Sequence, residues 1–138
     1  MLRIKIEMQE LTERIIGAAI AVHRELGPGF LESVYEAAMR VELGHRGIAA
    51  ASQVTVPVTY RGVDVGLHRL DLLVEDEVVV ELKAVRALEP VHFATLHSYL
   101  RAAGKRVGLI LNFQAPTLLV KRALCSGVRE VPRPEEYD

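Results

Sequence analysis

Two spacings divide the chain. Apolar residues recur every three or four positions near its start, and in alternation or near-continuous runs through its middle. Leu11, Ile15, Ala18, Ala19, Val22 and Leu26 form one stripe, which predicts a helix from about Glu10 to Leu26. Gly27-Pro28-Gly29 ends it, since Gly provides a C-cap and Pro cannot continue the helix. A second stripe predicts a helix from about Leu31 to Leu43, with Leu31, Val34, Ala38 and Val41 facing inward. After Gly44 and Gly47 the period falls to two: Val54, Val56, Val58 and Tyr60 share one face of a strand from about Gln53 to Tyr60. Pro57 denies that strand a ladder hydrogen bond and suggests a sheet edge.

Arg61-Gly62 begins a turn, and Val63 to Val74 forms the next strand, interrupted near Gly66. The following strand starts at Val78 and ends near Val85. Its β-branched residues lie on both faces, the mark of a central strand covered on each side. A third helix spans about Val91 to Ala103, entered through Pro90 and closed by Gly104. Val107 to Leu111 is a short buried strand leading to Asn112-Phe113. Thr117 to Leu124 fits a strand or a helical turn equally well, because periodicity cannot arbitrate over so short a run. The order is helix, helix, three strands, helix, strand. It predicts an α/β fold with a mixed sheet, antiparallel through its hairpins and parallel where the third helix crosses over.

At 138 residues the chain is one domain, able to bury roughly two-thirds of the surface its unfolded form exposes. The domain is expected over 1–128, with a flexible tail over 129–138. No stretch approaches the roughly 20 apolar residues of a membrane span, and the amino terminus lacks a signal peptide's unbroken apolar region. Cys125 is the only cysteine, which rules out an internal disulfide and points to a reducing cytoplasm. Net charge is −1 and the pI near 6.5, which counts against strong non-specific duplex binding. A local basic patch remains open from Arg101, Lys105, Arg106, Lys121 and Arg122, beside the reading that these are ordinary solvated charges.

The chemistry concentrates between Arg69 and Lys83. Asp71 interrupts one apolar strand, and Glu81 with Lys83 interrupts the next. Buried charges need partners, because an unpaired ion in the interior is very costly. If Glu75-Asp76-Glu77 is a three-residue loop, Val74 pairs with Val78 and Asp71 lies opposite Glu81, with Cβ atoms about 4.5–5.5 Å apart. Carboxylates that close repel unless a cation lies between them. A two-residue loop would put them on opposite faces instead. Elsewhere the bland readings are stronger. His23 fits a structural cap in the last turn of its helix, Tyr35 a buried ring with its hydroxyl satisfied, and His92 and His97 surface or packing roles.

Asp71 followed by Glu81-Leu82-Lys83 resembles the signature of the PD-(D/E)XK nuclease superfamily. Gly29-Phe-Leu-Glu32-Ser-Val-Tyr35 is similar to the motif that names the GxxExxY proteins, a small bacterial and archaeal family within it. The similarity runs from about Ile15 to Phe113 and takes in Tyr60-Arg-Gly62, Ser98-Tyr-Leu100 and Gly108-Leu-Ile-Leu-Asn-Phe113. It implies a restriction-endonuclease-like αβββαβ core, a mixed central sheet flanked by helices, with an extra N-terminal helix. It further implies a nuclease that cuts phosphodiester bonds of DNA or RNA with Mg²⁺ or Mn²⁺. Asp71, Glu81, the Leu82 carbonyl and Glu32 would be the metal ligands, and Glu32, Asp71, Glu81 and Lys83 the catalytic set. Thr95 stands where members of the family commonly have Gln, which puts the tuning of the site in question. The alternatives are a catalytically weak or inactive nuclease-fold module that binds nucleic acid or a protein, and an internal ion-pair cluster of Asp71, Glu81 and Lys83. A homodimer spanning a duplex is open, with no residue that establishes it.

Overall fold

The computed structural model describes residues 2–125, with side chains from Met8 onward; the tail expected over 129–138 lies outside the described residues. The elements are α1 (Leu2–Leu26), α2 (Glu32–His45), β1 (Ala50–Tyr60), β2 (Val63–Val74), β3 (Val78–Lys83), α3 (Pro90–Ala103), β4 (Val107–Asn112) and β5 (Leu119–Leu124). One sheet has the order β1-β2-β3-β4-β5. The β3–β4 pair, joined through α3, is parallel and the others are antiparallel. This is the expected mixed α/β architecture. The ambiguous stretch before Leu124 is an edge strand.

The stripe on α1 packs as its spacing requires: Leu11, Ile15, Ala18, Ala19 and Val22 are all buried. The helix starts at Leu2, earlier than expected, because the charged and apolar residues preceding Glu10 lack a stripe but are mostly good helix formers. On α2 the expected face is wrong. Leu31 and Val41 are exposed, and Tyr35, Met39 and Leu43 are buried instead. The helix carries apolar residues on two sides, and the side with the aromatic and Met has more area to bury. At about 100° per residue, this rotation turns Glu32 and Glu36 toward the sheet; the expected phase would have turned them away.

The sheet separates two cores. Val78, Val80 and Leu82 of β3 join α1 and α2 on one face, while Val79 joins Leu96 and Leu100 of α3 on the other. Val78 to Leu82 are all buried, as a central strand should be. Helix α3 lies close to β4, for a Cβ at Gly108 would meet the Leu96 side chain at 2.9 Å. Strand β1 is at the sheet edge, where Pro57 is tolerated, and a register shift between Val58 and Thr59 marks the irregularity expected near Gly66. That shift also takes Tyr60 out of the face formed by Val54, Val56 and Val58, leaving it exposed. Among the described residues no helix is long and apolar enough to cross a membrane.

Candidate active site where the central strand pair opens

The turn between β2 and β3 is the three-residue form, with Val74 opposite Val78, Leu73 opposite Val79 and Leu72 opposite Val80. Glu75 and Asp76 both adopt left-handed φ, 52° and 56°, without being Gly or Asn. Cross-links hold them. The Glu75 N–H donates to the Ala49 carbonyl, the Ala49 N–H donates to Glu75 Oε1, and Lys105 Nζ lies 3.3 Å from Asp76 Oδ1.

Continuing this register brings Asp71 to Glu81, but the backbone ladder stops at Leu72 and Val80. Side chains replace it. The Asp71 N–H donates to Glu81 Oε2 at 2.9 Å, and the Leu82 N–H donates to Asp71 Oδ2 at 2.9 Å. Each carboxylate thus accepts from the opposite strand, and the two acids face one another across the opening. A strand residue directs its N–H and C=O to the same neighbour, so the Leu82 carbonyl is directed to this opening too.

Burial is the largest influence on both acids. It pushes Glu81 up to about 8, reinforced by the negative charge of Asp71 and, more weakly, of Glu36; the Asp71 N–H and the charge of Lys83 oppose it. Asp71 is also raised, by burial first and by Glu32, against the bond from Leu82, the charge of Lys83 and the nearby amide of Gln53. The Tyr99 phenol is raised by burial and then by Glu81 and Asp71. Two carboxyls this close, both short of positive charge, are the arrangement that a cation relieves.

Asp71, Glu81, Leu82 and Lys83 therefore come together. Glu32 is exposed in the first turn of α2, near enough for its charge to act on Asp71. Among the described residues, no group of three or more His, Cys, Asp or Glu is poised to hold a metal, and no salt bridge joins Lys83 to either acid. The second fact disfavours the internal ion-pair reading.

Three neighbours, Glu36, Gln53 and Tyr99, were not apparent as site residues from the sequence. Glu36 lies one turn beyond Glu32, a spacing that could have signalled a shared face. Tyr99 lies one turn beyond Thr95 and packs on His68, with ring centroids 4.5 Å apart. Gln53 carries no local signal.

The bland readings hold elsewhere. Tyr35 is fully buried, stacks on Phe113, and donates to the Gly27 carbonyl at 2.6 Å while accepting from the Phe30 N–H. It fixes the loop that precedes Glu32. His23 Nε2 lies 2.8 Å from the Ala115 carbonyl, an oxygen that can only accept, so this nitrogen carries the proton. His23 is structural, but it ties α1 to the segment after β4 and does not cap its own helix. His92 Nδ1 accepts from the Glu89 N–H at the start of α3. Thr95 contributes its carbonyl to the Ser98 hydroxyl. Arg101, Lys105 and Arg106 lie near the Val78 and Val107 end of the sheet, opposite the end that carries Glu81 and Lys83. These three do not rim the acids, whereas Lys121, opposite Ile110 on β5, is level with Glu81 two strands away, and Arg122 donates to the Thr12 hydroxyl.

A profile of the PD-(D/E)XK nuclease superfamily matches residues 9–123. The chain belongs to that superfamily. Among solved structures, the crystal structure of SSO0001 is similar, with 16% identity and a TM-score of 0.50 over 67% of this chain and 48% of that one. That likeness concerns the fold, and this chain spans about half the length of that protein. No curated protein matches the chain.

Proposed function

We propose that the chain is a metal-dependent nuclease of the GxxExxY type, acting on phosphodiester bonds of DNA or RNA. The observation that carries this reading is the opened ladder, where Asp71 and Glu81 face each other and each accepts from a backbone N–H of the opposite strand. The donors fit a hard divalent ion. They are two carboxylates and the Leu82 carbonyl, all oxygen, and Mg²⁺ commonly takes one or two carboxylates and completes its shell with water and phosphate. That no third acid converges with these two among the described residues is therefore compatible with it. A cation held there would acidify water and neutralise phosphate charge.

The chain's own residues have distinct tasks. Asp71 and Glu81 would hold the ion, with their carboxylates oriented by the bonds from Leu82 and Asp71. Lys83 is the cation next along the face of Glu81, suited to orienting water or stabilising charge that develops on the phosphate. Glu32, at the start of α2, would act at the outer side, directly or through water. The distance of Arg101, Lys105 and Arg106 from the acids favours a second reading, a weakly catalytic module that binds nucleic acid or protein.

Cleavage of a panel of single- and double-stranded DNA and RNA, with Mg²⁺ or Mn²⁺, separates the two. Metal-dependent cleavage by the parent should fall by about a hundredfold or more in Glu81→Ala and Lys83→Ala, both remaining folded. Metal binding without cleavage of any polymer would contradict the nuclease reading and favour the module.

A further inference from the structure

Gln53 has an unexpected backbone for a strand residue. Its φ is 52°, in the left-handed region that side-chain-bearing residues seldom adopt and that clusters at functional sites. It lies at a gap in the β1–β2 ladder: Ser52 pairs with Leu72 and Val54 with Leu70 in unchanged register, and the intervening Gln53–Asp71 pair is missing. The hairpin changes cores at this point. Ala50, Leu72 and Val74 pack on the α1–α2 side, whereas Val54, Val56 and Leu70 pack on the α3 side. A regular extended residue would have continued the ladder.

The side chain is engaged on the helix side. Its Nε2 donates to Glu36 Oε1 at 2.6 Å, and between the Ser52–Leu72 and Val54–Leu70 pairs Gln53 stands opposite Asp71, near enough for its amide to favour the charged form of that acid. Glu36 shares a helix face with Glu32. One amide thus connects the acidic end of α2 to the strand opening. We infer that Gln53 is a positioning residue, whose left-handed backbone lets its amide brace Glu36 of α2 against the Asp71 carboxylate and keep that acid aimed at the opening. This rests on the metal-dependent reading above.

A residue that merely shapes the kink would behave differently from one that braces the acid, and Gln53→Gly distinguishes them. Glycine accepts the left-handed φ without strain but has no amide to offer. Thermal unfolding of Gln53→Gly is expected at or above the parental midpoint, while its Kd for Mn²⁺ by calorimetry rises about tenfold, as when a ligand's supporting partner is removed. Gln53→Ala should lose the same affinity and also unfold earlier, because alanine keeps the strain. Glu36→Ala, which leaves the β1 backbone untouched, should weaken Mn²⁺ binding in the same direction. Parental Kd in Gln53→Gly, or in Glu36→Ala should Gln53→Gly not fold, would overturn the bracing role. Absence of Mn²⁺ binding by the parent protein would instead overturn the metal-dependent reading and this inference with it, before any variant is compared.

Discussion

The two ends of the β2–β3 pair are built from the same strands and obey opposite rules. At the turn end, Leu72, Val74, Val78, Val79 and Val80 are fully buried and the backbone bonds are made strand to strand. At the other end, the next opposed residues are Asp71 and Glu81, and their carboxylates take the place of backbone carbonyls. Apolar burial stabilises the first end. The second confines two acids in an environment that disfavours their charge. The difference shows how a sheet can hold reactive groups firmly: a well-paired end fixes the register, and the open end inherits the geometry.

Leu72→Ala attacks the paired end. It should cost about 2–5 kcal/mol, the usual range for a buried Leu, read from the denaturant midpoint. Mn²⁺ affinity in the folded fraction should be unchanged. A parallel loss of affinity would mean that the two ends are not separable.

Glu81→Gln tests the open end through pH. The folded pKa of Glu81 is about 8 against an ordinary 4.5, so the folded state binds the extra proton between those values. Without metal, stability should therefore fall as pH rises from about 4.5 to 8. The neutral isostere should flatten that slope and stabilise the protein at pH 8 by about 4 kcal/mol. Denaturation curves at pH 5 and 8 check both expectations; an unchanged slope would show that Glu81 is not the confined acid.

The smallest effect belongs to the turn. Asp76→Gly removes the cost of a left-handed φ and should stabilise by about 1 kcal/mol, less the exposed contact with Lys105. A change in metal affinity on this substitution would again join what the structure separates.

The order of elements was legible from the aliphatic runs and the tight acidic turn, whereas the register of β2 on β3 was narrowed only to two choices, between which the three-residue turn decides. Asp71, Glu81 and Lys83 were legible for the same reason: charges in such strands stand out. The phase of α2 was not, since Val34 and Val41 form as regular a stripe as Tyr35, Met39 and Leu43. Size and shape decided between them, and these are tertiary properties. Gln53 was hidden because nothing in a strand's alternation announces a left-handed residue. Glu36 and Tyr99 depend on how helices dock onto the sheet, which local sequence does not specify.

The central claim is that the open end is a cation site which holds a proton until the cation arrives. Calorimetry of Mn²⁺ binding at pH 7, in two buffers of different ionisation enthalpy, tests this most directly. With Glu81 at about 8, binding should release close to one proton per ion, and Glu81→Gln should abolish that release and weaken binding. Binding without proton release, or with the same affinity in Glu81→Gln, would contradict the account.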